Sequence, residues 1–160
     1  MVFPERRNVH LESSIAIDLA EPGEYRRLKR NEKLYLEAGH RVRTYLLQLN
    51  PVGRIAKHDP NKTVVIGQIT FGAPILGLIG TDENLSATDA LLGHPEGSYR
   101  KNRRGVEAPR RDRPEKEGRD TVILAADRRT LILNLAAGSA LDQIRVIVRD
   151  SGPDHSPTIL

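Results

Sequence analysis

The chain has 160 residues, a length typical of one domain, with 25 Lys or Arg, 21 Asp or Glu and no cysteine. The lack of cysteine excludes disulfide scaffolds, thiol nucleophiles and Cys-ligated metal sites. The longest apolar stretch, residues 73–79, is too short to cross a bilayer, so we expect no membrane span. These limits predict a single domain over residues 1–160 with an aliphatic core, because only 4% of the residues are aromatic.

Strands are predicted wherever apolar residues alternate with a period of two or β-branched residues cluster. The first such segment, residues 41–49, is apolar on both faces near its C-terminal end, and we expect both faces to be buried there. Gly67, inside the second segment, is expected to mark a bulge or a tight bend. A turn at residues 127–129 predicts a hairpin between the segments 120–125 and 131–135. The predicted strands are residues 41–49, 62–71, 74–79, 120–125, 131–135 and 144–148.

The last two strands are each expected to have one buried face. In the final strand, Ile144, Val146 and Val148 alternate with Arg145 and Arg149, and the arginines are therefore placed on the solvent side. The predicted core consists of Ile69, Phe71, Ile75, Leu78, Leu91, Leu133, Ile144 and Val146.

One short helix is predicted at residues 85–93. Ser86 is in position to cap the first turn, Asp89 follows three residues later as the reciprocal partner, and Gly93 ends the helix. Calcium is the alternative interpretation of Asp82, Asn84 and Asp89, since these side chains offer oxygen ligands at short spacing. Capping is preferred because the glycine and the spacing of the EF-hand loop are missing, and no other cofactor is expected.

The most unusual segment is the basic loop, residues 94–119, with nine Lys or Arg and five Glu or Asp. The remainder of the chain is balanced in charge. Because ordering so polar a segment is costly, we expect it to be mobile in an isolated domain, or to be held by an acidic surface on another copy of the chain. Its candidate contacts with a polyanion or partner are Arg100, Lys101, Arg103, Arg104, Arg110, Arg111 and Arg113.

Strands that are buried on one face must be covered by a second sheet. The pattern therefore predicts an all-β protein, an antiparallel, jelly-roll-like β-sandwich with one short helix and a long basic loop. No GxSxG, GxxxxGK(S/T) or HExxH motif occurs, and hydrolase, nucleotide-binding and zinc-protease functions have no support from the sequence. A noncatalytic protein is the expectation.

Several phrases in order, RVRTYLLQLNPVG, GAPILGLIG, LSATDALLG, RRGVE and LDQIRVIV, resemble a region of predicted secreted bacterial proteins, many of which carry a C-terminal sorting anchor. The resemblance covers residues 42–148. It departs from the family at Gln48, where histidine is common. The resemblance implies a β-sandwich of an exported protein, and no activity is established for that region of the family.

Two classes of function follow. The first is a noncatalytic β-sandwich module of an exported or cell-surface protein that self-associates or binds carbohydrate or another surface protein. The second, less favoured, is binding of nucleic acid or acidic polysaccharide through residues 100–113. Residues 1–14 lack the apolar run of a signal peptide. We expect an extracellular or cell-surface location if an upstream signal was removed. The alternative is a cytoplasmic location.

Overall fold

A computed structural model describes residues 1–49, 63–113, 120–137, 141–153 and 156–160. The described chain contains one helix, α1, Asp82–Leu92. Its strands are β1 Val2–His10, β2 Ile15–Ile17, β3 Gly23–Glu24, β4 Leu34–Leu36, β5 Arg41–Leu49, β6 Thr63–Thr70, β7 Ile75–Ile79, β8 Thr121–Leu124, β9 Thr130–Ala137, β10 Asp142–Arg149 and β11 Thr158–Ile159.

The strands form two main antiparallel sheets, which confirms the prediction of an all-β sandwich with one short helix. The four-stranded sheet has the order β1-β5-β10-β7, and the five-stranded sheet has the order β11-β6-β9-β8-β3. Strands β2 and β4 form a small separate pair. The predicted hairpin is present, because β8 pairs with β9 in antiparallel register from Leu124 opposite Leu131 to Thr121 opposite Asn134.

The main core lies between the two sheets. Leu131, Leu133 and Leu135 of β9 point inward and pack with Ile144 and Val146 of β10. Ile132 of β9 is 40% exposed on the opposite face, as the period-two pattern predicts.

A second core covers the other face of the four-stranded sheet. Val42 and Ile147 from that sheet pack against Leu85 and Leu92 of α1 and against Ile17 of β2. Because both faces are covered, residues Asp142–Val148 of β10 are all buried, and the expectation that Arg145 lies on the solvent side is wrong. The expectation that β5 is buried on both faces is confirmed by residues 44–47.

Three further predictions are corrected. The helix begins after Thr81, whose Oγ1 accepts a hydrogen bond from the Asn84 N–H at 3.3 Å, and Ser86 therefore lies inside the helix. Leu91 is 41% exposed because the buried stripe of α1 runs through Leu85, Thr88 and Leu92. Gly67 lies in an uninterrupted antiparallel ladder between β6 and β9, so it marks no bulge.

Candidate functional site

The described part of the basic loop, residues 94–113, is fixed by contacts within the chain. Arg104 is fully buried; its Nε donates to Gln143 Oε1 at 2.8 Å, and its Nη1 and Nη2 donate to the Asp89 carboxylate at 2.6 and 3.1 Å. Val106 and Ala108 are also buried. The expectation that an ordered loop needs another copy of the chain is wrong for these residues, because α1 and β10 supply the partners.

A second buried arginine, Arg145 of β10, completes the network. Its Nε and Nη2 donate to the two carboxylate oxygens of Glu5 at 2.7 and 2.9 Å, and Nη2 also donates to Asp89 Oδ1 at 2.9 Å. Its Nη1 donates to the Leu85 carbonyl and to Thr88 Oγ1 of α1. Burial by itself would lower the pKa of Arg145, but the bonds to Glu5 and then to Asp89 more than offset this and raise it.

Glu5 reaches Arg145 because of an irregularity in β1. In the pairing of β1 with β5, Pro4 is opposite Tyr45 and Arg6 is opposite Thr44, so Glu5 is the extra residue of a β-bulge. A bulge redirects a side chain from the regular alternation of a strand. Glu5 is thereby joined to a residue of β10, which is separated from β1 by β5.

Tyr99 of the loop lies against both guanidinium groups. The ring centroid is 5.1 Å from Cζ of Arg104 and 5.5 Å from Cζ of Arg145. The Tyr99 hydroxyl donates to Glu5 Oε1 at 2.8 Å and accepts from the His94 N–H at 2.7 Å. Desolvation raises the pKa of Tyr99, as does the bond to Glu5, although the His94 N–H acts in the opposite direction.

We call Glu5, Asp89, Tyr99, Arg104 and Arg145 the buried network. Its two arginines and two carboxylates balance in charge and are bonded to one another. Desolvated charges are tolerated when they are paired in this way. The network therefore joins the first strand, the helix, the loop and β10. Its charged groups are bonded to one another, which is the arrangement expected of residues that stabilise the fold.

The three calcium candidates do not share one site. Asp82 accepts the N–H groups of Arg103, Arg104 and Gly105, while the Asn84 amide donates to Asp18 and Asp89 belongs to the buried network. Burial would raise the pKa of Asp82, but the three N–H donors bring it below its ordinary value. Over the described ranges, no cluster of three or more His, Asp or Glu is placed to hold a metal ion.

The predicted polyanion contacts separate into two groups and one buried residue. Arg100, Lys101 and Arg103 are exposed beside α1, where Ser86 Oγ donates to the Lys101 carbonyl at 2.8 Å. Arg104 is enclosed in the buried network and is not accessible to a polyanion. The second group is Arg110, Arg111 and Arg113.

This second group lies beside a further basic segment, residues 26–33, which is separate from the predicted basic loop. Residues 26–33 contain five Lys or Arg and one Glu. The segment meets the loop at an isolated parallel bridge between Arg27 and Arg110. The five cations of residues 26–33 are visible in the sequence, but nothing in the sequence indicates that this segment contacts a loop about 80 positions away.

Comparison with known proteins returns no significant match among family models, curated proteins or solved structures. Among the described residues, the helix is too short and too polar to cross a membrane.

Proposed function

We propose that the chain is a noncatalytic β-sandwich module of an exported or cell-surface protein, and that it acts by self-association. The exported location is supported by the resemblance of residues 42–148 to a region of predicted secreted bacterial proteins. A noncatalytic role is supported by the buried network, in which the two fully buried arginines, Arg104 and Arg145, are bonded to carboxylates of the chain.

The observation that carries the proposal is an uncharged patch on the outer surface of the five-stranded sheet. The patch covers β6, β9 and β8 and ends at β3, where the exposed Glu24 lies opposite Ile123. Side chains opposite one another on β6, β9 and β8 form two cross-strand rows on this surface. Ile66 and Ile132 are 76% and 40% exposed there. We call these six residues the uncharged face: Ile66, Asn134 and Thr121 in one row and Gln68, Ile132 and Ile123 in the other.

A second copy of the chain is the occupant that fits this surface. Charged residues make up 29% of the chain, so six neighbouring positions without charge differ from the rest of the surface. The centres of protein interfaces are depleted of charge in the same way. In a two-fold dimer the face meets itself, and a molecule with a net charge of +4 can then associate without placing like charges opposite one another.

Sedimentation equilibrium over a range of protein concentrations tests the proposal. The unaltered chain is expected to be dimeric or larger, and Ile66→Lys/Ile132→Lys is expected to be monomeric, because lysines on facing copies repel and lose hydration. The control is Tyr35→Lys, which introduces a lysine at another exposed aromatic or aliphatic position, 50% exposed on β4. A monomeric unaltered chain contradicts the proposal, as does equal dissociation by the control.

A second candidate function, polyanion binding, is supported by one specific observation. The bridge between Arg27 and Arg110 places two basic segments side by side. Retention of the unaltered chain on an anionic polymer, lost steeply as salt is added, is the expected result. A chain that passes through such a polymer at low salt contradicts this candidate.

A further inference from the structure

The two basic segments are held together by backbone hydrogen bonds. The Arg27 N–H donates to the Pro109 carbonyl at 2.8 Å, and the Arg111 N–H donates to the Arg27 carbonyl at 2.9 Å. We call residues 26–33 and 110–113 together the basic edge. Its position is fixed by Tyr25, which is 3% exposed and donates its N–H to the Val122 carbonyl of β8 at 2.7 Å.

Positive charge exceeds negative charge throughout the basic edge. Residues 26–33 have five Lys or Arg and one Glu, and residues 110–113 have three Arg and one Asp. Both acidic side chains are already engaged: Glu32 accepts from Arg111 at 2.6 Å, and Asp112 accepts from Arg110 at 2.9 Å. Lys29, Arg30 and Lys33 are exposed, and so is Arg113.

The excess of positive charge on the basic edge favours an anionic ligand. The repulsion among neighbouring cations is relieved when a polymer of negative charges lies along them. The fixed backbone also means that little conformational entropy is lost when the ligand binds, since the two segments are already adjacent.

We propose that the basic edge binds a linear acidic polysaccharide carrying carboxylate or sulfate groups. This inference rests on the second candidate function and names its ligand and its residues, most of which lie outside the loop singled out from the sequence. Six of the eight cations are arginines, and three of them are already paired with carboxylates of the chain: Arg26 with Glu24, Arg110 with Asp112 and Arg111 with Glu32. Arg30 and Arg113 are exposed, and a planar guanidinium group matches carboxylate and sulfate oxygens with paired hydrogen bonds.

Polysaccharide is favoured over single-stranded nucleic acid because of the aromatic residues. Proteins that bind single strands stack bases on exposed aromatic rings. Residues 26–33 and 110–113 contain no aromatic residue. Of the two tyrosines that flank residues 26–33, Tyr25 is buried and bonded to β8, and Tyr35 of β4 is 50% exposed. One exposed ring cannot stack the successive bases of a strand.

The test uses the full chain with three probes: heparin, polygalacturonate and a mixed-sequence DNA duplex. Binding is measured by isothermal titration calorimetry at low and at physiological salt. The variant is Lys29→Glu/Arg30→Glu, which reverses two exposed charges of the basic edge. The matched control is Arg100→Glu/Lys101→Glu, which reverses two exposed charges of the loop beside α1.

We expect both polysaccharides to bind, with affinity that falls as salt rises. The Lys29→Glu/Arg30→Glu variant should bind at least about tenfold more weakly, because attraction becomes repulsion at two contacts. At physiological salt the control should stay within about twofold of the unaltered chain, because it leaves the residues of the basic edge unchanged and interactions between exposed charges are screened by salt. Equal weakening by both variants contradicts the assignment to the basic edge.

The remaining outcomes separate this inference from the second candidate function, on which it rests. If duplex DNA binds more tightly than both polysaccharides, and the Lys29→Glu/Arg30→Glu variant loses that binding, polyanion binding stands and the ligand class proposed here is wrong. If no probe binds at low salt, both fail. Self-association is unaffected by either result, because it is measured on Ile66 and Ile132.

Discussion

Arg145 and Glu5 form a two-bond ion pair between residues 140 positions apart in the chain, with side chains that are 0% and 1% exposed. The pair joins the first strand of the four-stranded sheet to β10 across the intervening β5. Such a pair contributes stability only while both partners are present, since either charge alone would be buried without compensation.

Glu5→Gln is therefore expected to reduce the free energy of unfolding by about 3–5 kcal/mol, because it removes the charge opposite a buried guanidinium group. Urea denaturation followed by circular dichroism measures the change. Glu12→Gln is the control, since Glu12 is exposed, and it should stay within about 0.5 kcal/mol of the unaltered chain. A similarly small effect at Glu5 would show that the pair is not formed in solution.

Arg104→Ala is expected to release the basic loop from α1 and β10. Limited trypsin digestion should then cleave within residues 100–113 faster than in the unaltered chain, because proteolysis requires local opening of the backbone. Arg100→Ala removes one trypsin site in the same way but alters an exposed side chain, and its digestion rate should be nearly unchanged. Equal rates for the two variants would contradict the anchoring role of Arg104.

Leu133→Ala should destabilise the sandwich by about 1–4 kcal/mol, because it leaves a cavity between the sheets. Ile132→Ala, one position along the same strand, removes a side chain that is 40% exposed in the single chain and should cost clearly less at protein concentrations where the chain is monomeric. Thermal or urea unfolding of both variants compares the two faces directly. If Ile132→Ala were the more destabilising substitution, Ile132 rather than Leu133 would face the core, and the assigned faces of β9 would be wrong.

Asp82→Asn tests the turn in which three loop N–H groups bind one carboxylate. The pKa of Asp82 is below its ordinary value, so its charged form contributes stability above the unfolded pKa of about 4, and this contribution disappears as pH falls through the lower folded value. The unaltered chain should therefore lose more stability than the variant between neutral pH and acid. Urea midpoints that fall in parallel would contradict this role.

Alternation along a single strand was sufficient to predict most of the sandwich. The inward leucines of β9 follow from the period of two, because one face of that strand is buried and the other is exposed. The same rule failed for Arg145, since β10 is covered on both faces and its partner Glu5 comes from a bulge at the other end of the chain.

The candidate sites depended still more on long-range structure. Arg103 and Arg104 are adjacent and chemically identical, but Arg104 is buried with bonds to the Asp89 carboxylate and the Gln143 amide oxygen, whereas Arg103 is exposed. The sequence pattern places the helix start too late, because its apolar residues begin at Leu85. The N-cap is Thr81, whose N–H and hydroxyl donate hydrogen bonds to Asp18. The partners of Arg104 and Thr81 are distant in the sequence, so local sequence patterns cannot identify them.

The most direct test of self-association through the uncharged face uses the absence of cysteine in the chain. A single Gln68→Cys substitution places one nitroxide spin label on that face, and dipolar broadening of its continuous-wave electron paramagnetic resonance spectrum then reports close approach of labels on different copies. We predict strong broadening that disappears when labelled chain is diluted with unlabelled chain, because two sheets stacked through this face lie about 10 Å apart. Absence of any intermolecular coupling from residue 68, at concentrations where the label leaves the fold intact, would contradict the proposal.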